Sequence, residues 1–190
     1  INILIGLHDV VYHQKSPFQK VQVLNTKTFG YALSLNDELR VTVADEYIYH
    51  EAMVHPAMIS HSNPQHIFIA GNGDLCLVRE LLKYAVNDRS LQITVCELDK
   101  TVVDVSLQYF HNKTINKHEI MDAIERGQLS IVYGDAFRYL ADCERAFDII
   151  YVDLSDSSPK APAFNFFTLQ FYEQILQRNL TSNGILVTQT

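Results

Sequence analysis

A chain of 190 residues that is 47% hydrophobic can bury a sizeable core, which argues against disorder and fits one domain, or one domain with a small appendage. No apolar run is long enough to span a bilayer and no signal-peptide pattern opens the sequence, so a soluble, cytoplasmic protein without a membrane partner is expected. The net charge of −7 disfavours nucleic acid and suits a cationic substrate, although many ordinary domains are as acidic; the three cysteines, Cys76, Cys96 and Cys143, lack CxxC spacing and suggest neither a disulfide framework nor a zinc site.

Phe18 to Leu24 and Tyr31 to Leu35 alternate around a turn-like stretch ending at Gly30, and Leu39 to Val43 follows Asn36-Asp37-Glu38. These hairpin signals predict a small antiparallel sheet. From Asp45 to Ile59 the spacing of Tyr49, Met53, Ala57 and Met58 turns helical. Near Asn63-Pro64 the pattern changes, which divides the chain into residues 1–62, a β-hairpin domain with a connecting helix, and residues 63–190, a second domain.

After Pro64 the reading is strand 67–70, helix 74–85, strand 93–96, helix 100–110, strand 131–133, helix 136–142, strand 148–152, helix 168–178 and strand 185–189, with a polar, helix-capable insert between Tyr109 and Leu129. This βαβ alternation predicts an α/β fold with a Rossmann-like, mostly parallel sheet. An acid closes almost every apolar run: Asp74 after Gly71-Asn72-Gly73, Glu97 after Val95-Cys96, Asp135 after Gly134, and Asp153 after Tyr151-Val152. Ligands of such sheets lie at the carboxyl ends of the strands, so four acids are expected to converge on one crevice. It would suit hydroxyls, amines and positive charge.

Each acid carries two readings. Asp74 either stabilises a helix N-terminus or attracts an ammonium, and it disfavours the pyrophosphate of a dinucleotide or the carboxylate of S-adenosylmethionine at this turn. Glu97 stands where an acid commonly accepts from a ribose diol. Asp135 either caps a helix or accepts from an adenine amine. Asp153-Leu154-Ser155-Asp156 either forms a turn or binds an amine and removes its proton, with Asp153 as the base.

These residues, together with Phe18-Gln19, Thr28-Phe29-Gly30, Asp45-Glu46 through Tyr49-His50-Glu51, His55-Pro56, Glu97-Leu98-Asp99, Gly134-Asp135-Ala136, Phe171-Tyr172 and the run Gly184 to Gln189, follow the order seen in polyamine aminopropyltransferases. The chain resembles the spermidine synthase family from about Val10 to Thr190, with Tyr49-His50-Glu51 and Val187-Thr188-Gln189 closer to the thermospermine synthase branch. The resemblance implies a class I methyltransferase-type sheet and transfer of an aminopropyl group from decarboxylated S-adenosylmethionine to putrescine or spermidine. It implies no metal, no permanently bound cofactor, and a homodimer or homotetramer formed through the N-terminal sheet. It places Gln19, Glu97, Asp135, Ala136 and Pro162 around the nucleoside, and Tyr49, His50, Asp74, Asp153 and Asp156 around the acceptor amine. A non-catalytic nucleoside- or polyamine-binding homologue that serves as an oligomer partner, and an S-adenosylmethionine methyltransferase, are the second and third readings.

The sequence departs from the family at four positions: Asn72 and Leu75 replace glycines, Arg40 replaces a polar amide, and Ser157 replaces a proline. It ends at Thr190, inside what the resemblance makes the fifth strand, so later strands of the family's sheet are expected to be missing. His50, His55, His61 and His66 do not share one helical face, and apart from His50 they are read as surface or junction residues.

Overall fold

The computed structural model describes residues 5–86, 90–154 and 162–189, with the Pro162 side chain left aside. Four antiparallel strands come first: β1 (Leu7–Lys15), β2 (Lys20–Thr26), β3 (Gly30–Leu35) and β4 (Glu38–Thr42), in that spatial order. The turn between β3 and β4 places Asn36 and Asp37 at φ 52° and 66°, the paired left-handed conformation of a two-residue hairpin that Asn and Asp tolerate. Thr26 closes the β2–β3 turn by donating from Oγ1 to the Gly30 carbonyl at 2.8 Å. Helix α1 (Glu46–Ser60) follows, burying Met53, Val54, Ala57 and Met58.

The second sheet has five parallel strands in the order β7-β6-β5-β8-β9: β5 (His66–Gly71), β6 (Gln92–Glu97), β7 (Leu129–Tyr133), β8 (Phe147–Asp153) and β9 (Leu180–Thr188). Helices α2 (Cys76–Ala85), α3 (Lys100–Tyr109), α4 (Lys117–Glu125) and α5 (Ala136–Asp142) make the crossovers. The insert between Tyr109 and Leu129 therefore contributes α4. Strands β5 and β8 read as unbroken apolar runs because both of their faces are covered: Ile67, Phe68, Ile69, Ile149, Ile150 and Tyr151 are fully buried. The chain builds outwards from β5 to β6 and β7, then returns to β8 and β9 on the other side, which opens a crevice beside β5 at the strands' carboxyl ends.

Three details differ from the sequence reading. β1 was not expected; neither of its faces is well buried, so no alternation of polar and apolar residues announces it. The helix read at 168–178 consists of a π-helical segment, Phe171–Leu176, and a short α6 (Gln177–Asn179), preceded by a 3₁₀ segment, Pro162–Phe167. The last strand begins at Leu180, five residues before the apolar run that suggested it, and a register irregularity separates its Phe147↔Leu180 and Ile149↔Ile185 pairings.

Candidate active site

The register of the second sheet brings the acids together. Gly71 pairs with Asp153, Ala70 with Cys96, and Glu97 with Tyr133, so the tips of β5, β6 and β8 end at one level. A cavity of about 940 Å³ opens there, and Asp74, Glu97, Asp135 and Asp153 all line it. Gln19, Tyr49, His50 and Ala136 line it too, which brings the first sheet and α1 into the same site. Asp156 lies outside the described residues, as does Ser157, and Pro162 is placed only by its backbone at the start of the 3₁₀ segment.

The turn after β5 requires its glycines. Gly71 has φ 87°, and a Cβ there would collide with the Asp153 carbonyl; a Cβ on Gly73 would sit 2.7 Å from Val102 and 3.1 Å from a Glu97 oxygen. Asn72 and Leu75, at φ 70° and 63°, occupy left-handed positions where glycine is the ordinary residue. Asp74 Oδ1 accepts from the Cys76 N–H at 2.8 Å at the head of α2, and the residue also lines the cavity. Asp135 likewise caps α5, accepting from the N–H groups of Phe137 and Arg138 at 2.9 and 3.3 Å, while lining the cavity.

Glu97 accepts the Asp99 N–H at 2.9 Å. Burial pushes its carboxyl up to about 7, with the Asp99 and Asp74 charges adding to the shift. Asp99 belongs to the family pattern only as part of Glu97-Leu98-Asp99, and the structure gives it a role of its own. It is 1% exposed, caps α3 by accepting from Thr101 N–H at 3.0 Å, and accepts from the Gln19 amide at 3.1 Å and the Ser16 hydroxyl at 2.6 Å. Gln19 is thereby held over the cavity by a residue beside the Glu97 strand tip.

Tyr49 donates its hydroxyl to Asp153 Oδ1 at 2.7 Å and lies 2.9 Å from the Gln189 side-chain amide. Its phenol is raised by burial first and by the Asp153 charge next, so it stays protonated and remains a donor. Asp153 is also raised, by burial and then by the Asp74 charge, while Tyr49, His50 and Asn72 pull it back down. His50 is 2% exposed; its Nδ1 lies 2.9 Å from Glu46 Oε2, and its Nε2 lies 3.8 Å from Asp74 Oδ1. Burial opposes its protonation, but the Glu46 hydrogen bond and the Asp74 and Asp153 charges outweigh it and raise the imidazole.

Behind His50 the chain of charges continues. Arg79 binds both oxygens of the buried Glu46 and donates from Nε to Glu80 at 2.8 Å. Two clusters of potential ligand groups occur among the described residues, Glu46-His50-Cys76 and Glu51-His55-Glu80. Arg79 already supplies a cation to Glu46, and Arg79 and Lys83 supply cations to Glu80. His61, read as a surface or junction residue, is 8% exposed and faces Asp148 at 4.0 Å. Arg40 lines the cavity, but Glu38 pairs with it. Among the described residues, no helix is long and apolar enough to cross a membrane.

The family model described as the spermine/spermidine synthase domain matches residues 46–190, and that of the spermidine synthase tetramerisation domain matches residues 3–42. A thermospermine synthase of Arabidopsis thaliana is 36% identical over 184 residues, covering 97% of this chain and 51% of the relative. A polyamine aminopropyltransferase of Methanocaldococcus jannaschii is 30% identical, over 100% of this chain and 60% of the relative. The crystal structure of a spermidine synthase in complex with the transition-state analogue AdoDATO superposes with a TM-score of 0.84 at 26% identity, over 100% of this chain and 61% of that one. The Thermotoga maritima spermidine synthase gives 0.83 at 25% identity. This chain thus spans between half and two thirds of the length of these relatives. With its antiparallel sheet, its five-stranded parallel sheet and the family model over residues 46–190, the chain belongs to the spermine/spermidine synthase family.

Proposed function

We propose that this chain carries the nucleoside and amine sites of a polyamine aminopropyltransferase, transferring the aminopropyl group of decarboxylated S-adenosylmethionine to putrescine or spermidine. The observation that carries this reading is that Asp74, Glu97, Asp135 and Asp153, from four separate chain segments, line one cavity. Such a cavity attracts a sulfonium nucleoside ending in an ammonium and repels a carboxylate tail, which disfavours ordinary methyl transfer. Glu97 is assigned to the ribose diol and Asp135 to the adenine amine, with Gln19, Ala136 and Pro162 completing the nucleoside site. Tyr49, His50, Asp74, Asp153 and Asp156 are assigned to the amines; the parts given to Asp156 and the Pro162 side chain rest on the family resemblance alone.

In this reaction the acceptor amine first loses a proton to Asp153, because an alkylammonium has no lone pair to attack with. The freed nitrogen then bonds to the methylene next to the sulfonium, the carbon–sulfur bond breaks onto sulfur, and neutral methylthioadenosine leaves. Burial raises Asp153 and so makes it a better proton acceptor, while Tyr49 fixes one of its oxygens. Alignment of nitrogen and methylene supplies the larger part of the rate. We further assign the N-terminal sheet within residues 1–62 to oligomer contacts, in a homodimer or homotetramer, and residues 63–190 to chemistry, and place the protein in the cytoplasm. The division is not clean at the site, since Gln19, Tyr49 and His50 reach it from the first part.

The test is to incubate the full-length protein with decarboxylated S-adenosylmethionine and a panel of diamines and polyamines. Release of methylthioadenosine with at least one amine supports the reading. No release with any amine contradicts it and leaves a binding protein.

A further inference from the structure

Asp74 and Asp153 face one cavity as like charges, and something must hold them there before any cation arrives. Asn72 lies between them. It is 3% exposed, and its Nδ2 donates to Asp74 Oδ1 at 3.0 Å and to Asp153 Oδ2 at 3.2 Å. An amide nitrogen carries two hydrogens, so both are used. Its Oδ1 is buried with no hydrogen-bond partner among the described residues, so the two carboxylates alone orient the group. Turned over, it would press a carbonyl oxygen against two anions. The backbone there sits at φ 70°, a conformation that Asn adopts more readily than most non-glycine residues.

We propose that Asn72 is a positioning residue: its amide ties the Asp74 and Asp153 carboxylates into one unit and fixes the face that Asp153 offers to the acceptor amine. With Oδ2 held by Asn72 and Oδ1 by Tyr49, the carboxylate plane is set from both sides, yet each oxygen keeps a lone pair for an incoming proton. The charged and titratable groups facing Asp153 are Asp74 from the turn after β5 and Tyr49 and His50 from α1. This inference rests on the reading of Asp153 as proton acceptor.

The test compares Asn72→Gly and Asn72→Asp with wild type in the full-length protein. Glycine tolerates a left-handed backbone, so a residue that merely shaped the turn would leave Asn72→Gly at wild-type turnover. The clamp predicts instead that Asn72→Gly lowers kcat about tenfold, with KM for the amine changed by less than about threefold, because alignment is lost rather than binding. Asn72→Asp sets a third carboxylate against the first two and lowers kcat further. The acid limb of the Asn72→Gly kcat profile moves to higher pH, because the ionised Asp153 has lost a donor. A carboxyl-carbon NMR titration of Asp153 in wild type and Asn72→Gly reads the same effect without turnover, as an upward shift of the midpoint. If wild type releases no methylthioadenosine, the transfer reading falls while the titration still decides the clamp. Unchanged kcat in Asn72→Gly, or an unmoved Asp153 midpoint, overturns it.

Discussion

The Tyr49 hydroxyl donates to Asp153 Oδ1 at 2.7 Å across a sequence separation of 104 residues, joining the connecting helix to the tip of β8. This bond gives Asp153 a fixed donor on the side of the cavity nearest α1. Replacing Tyr49 with Phe removes only the hydroxyl. We expect kcat to fall roughly 10- to 100-fold, the usual scale for losing one aligned donor or acid–base contact, with melting temperature nearly unchanged. Steady-state kinetics beside a thermal melt check it.

Glu97 should make nucleoside binding depend on pH. Its carboxyl is pushed up to about 7 from an ordinary 4.5, so it is largely protonated at pH 6 and ionised at pH 8. A ribose diol donates better to the ionised form. Affinity for methylthioadenosine should therefore rise by up to about tenfold between pH 6 and 8, and Glu97→Gln should flatten the dependence. Stability runs the other way. A raised folded pKa means that the folded state holds its proton longer than the unfolded state, so the Glu97 contribution is best below 4.5 and declines as pH rises towards 7. Calorimetric titrations across this pH range check the binding.

Arg79 neutralises two buried acids, Glu46 with a side chain 5% exposed and Glu80 with one 0% exposed. Removing it as Arg79→Met strands a buried charge, which typically costs about 3–5 kcal/mol. In a domain of this size that lowers the melting temperature by roughly 6–20 °C. Adding Glu46→Gln should restore part of the loss; a double variant no more stable than Arg79→Met would show that the pair is not the cause.

Leu75 combines a left-handed backbone with complete burial in the core. Truncating a buried leucine costs about 2–5 kcal/mol, whereas the left-handed conformation costs a non-glycine residue about 1–2 kcal/mol. Burial wins, so both Leu75→Ala and Leu75→Gly should be less stable than wild type. Glycine sheds the backbone strain and alanine does not. Leu75→Gly should therefore exceed Leu75→Ala in stability by about 1 kcal/mol, the reverse of the order in a helix. Denaturant melts of the three proteins check the ranking.

The convergence of the acids was legible because it follows from local signals: short apolar runs, each closed by Gly or a carboxylate, in a fold whose ligands lie at strand tips. The hairpin at Asn36-Asp37 was legible for a similar reason, since its residues tolerate the backbone it needs. What escaped was long-range. Arg79 and Glu46 are 33 residues apart, and Gln19 and Asp99 are 80 apart, so their pairing depends on how α1, α2 and the two sheets stack. β1 escaped because most of its residues are exposed and the two that pack on the core, Val11 and Tyr12, are adjacent, so no alternation marks it. Asn72 was visible as a departure from the family's glycine, but its bonds to Asp74 and Asp153 required the register that sets Gly71 beside Asp153.

The central claim is that the acidic cavity selects a sulfonium nucleoside ending in an ammonium, and the most direct measurement is a pair of calorimetric titrations of the full-length protein. Decarboxylated S-adenosylmethionine should bind about tenfold or more tightly than S-adenosylmethionine itself, because the latter brings a carboxylate towards Asp74. Equal affinities, or tighter binding of S-adenosylmethionine, would contradict the account.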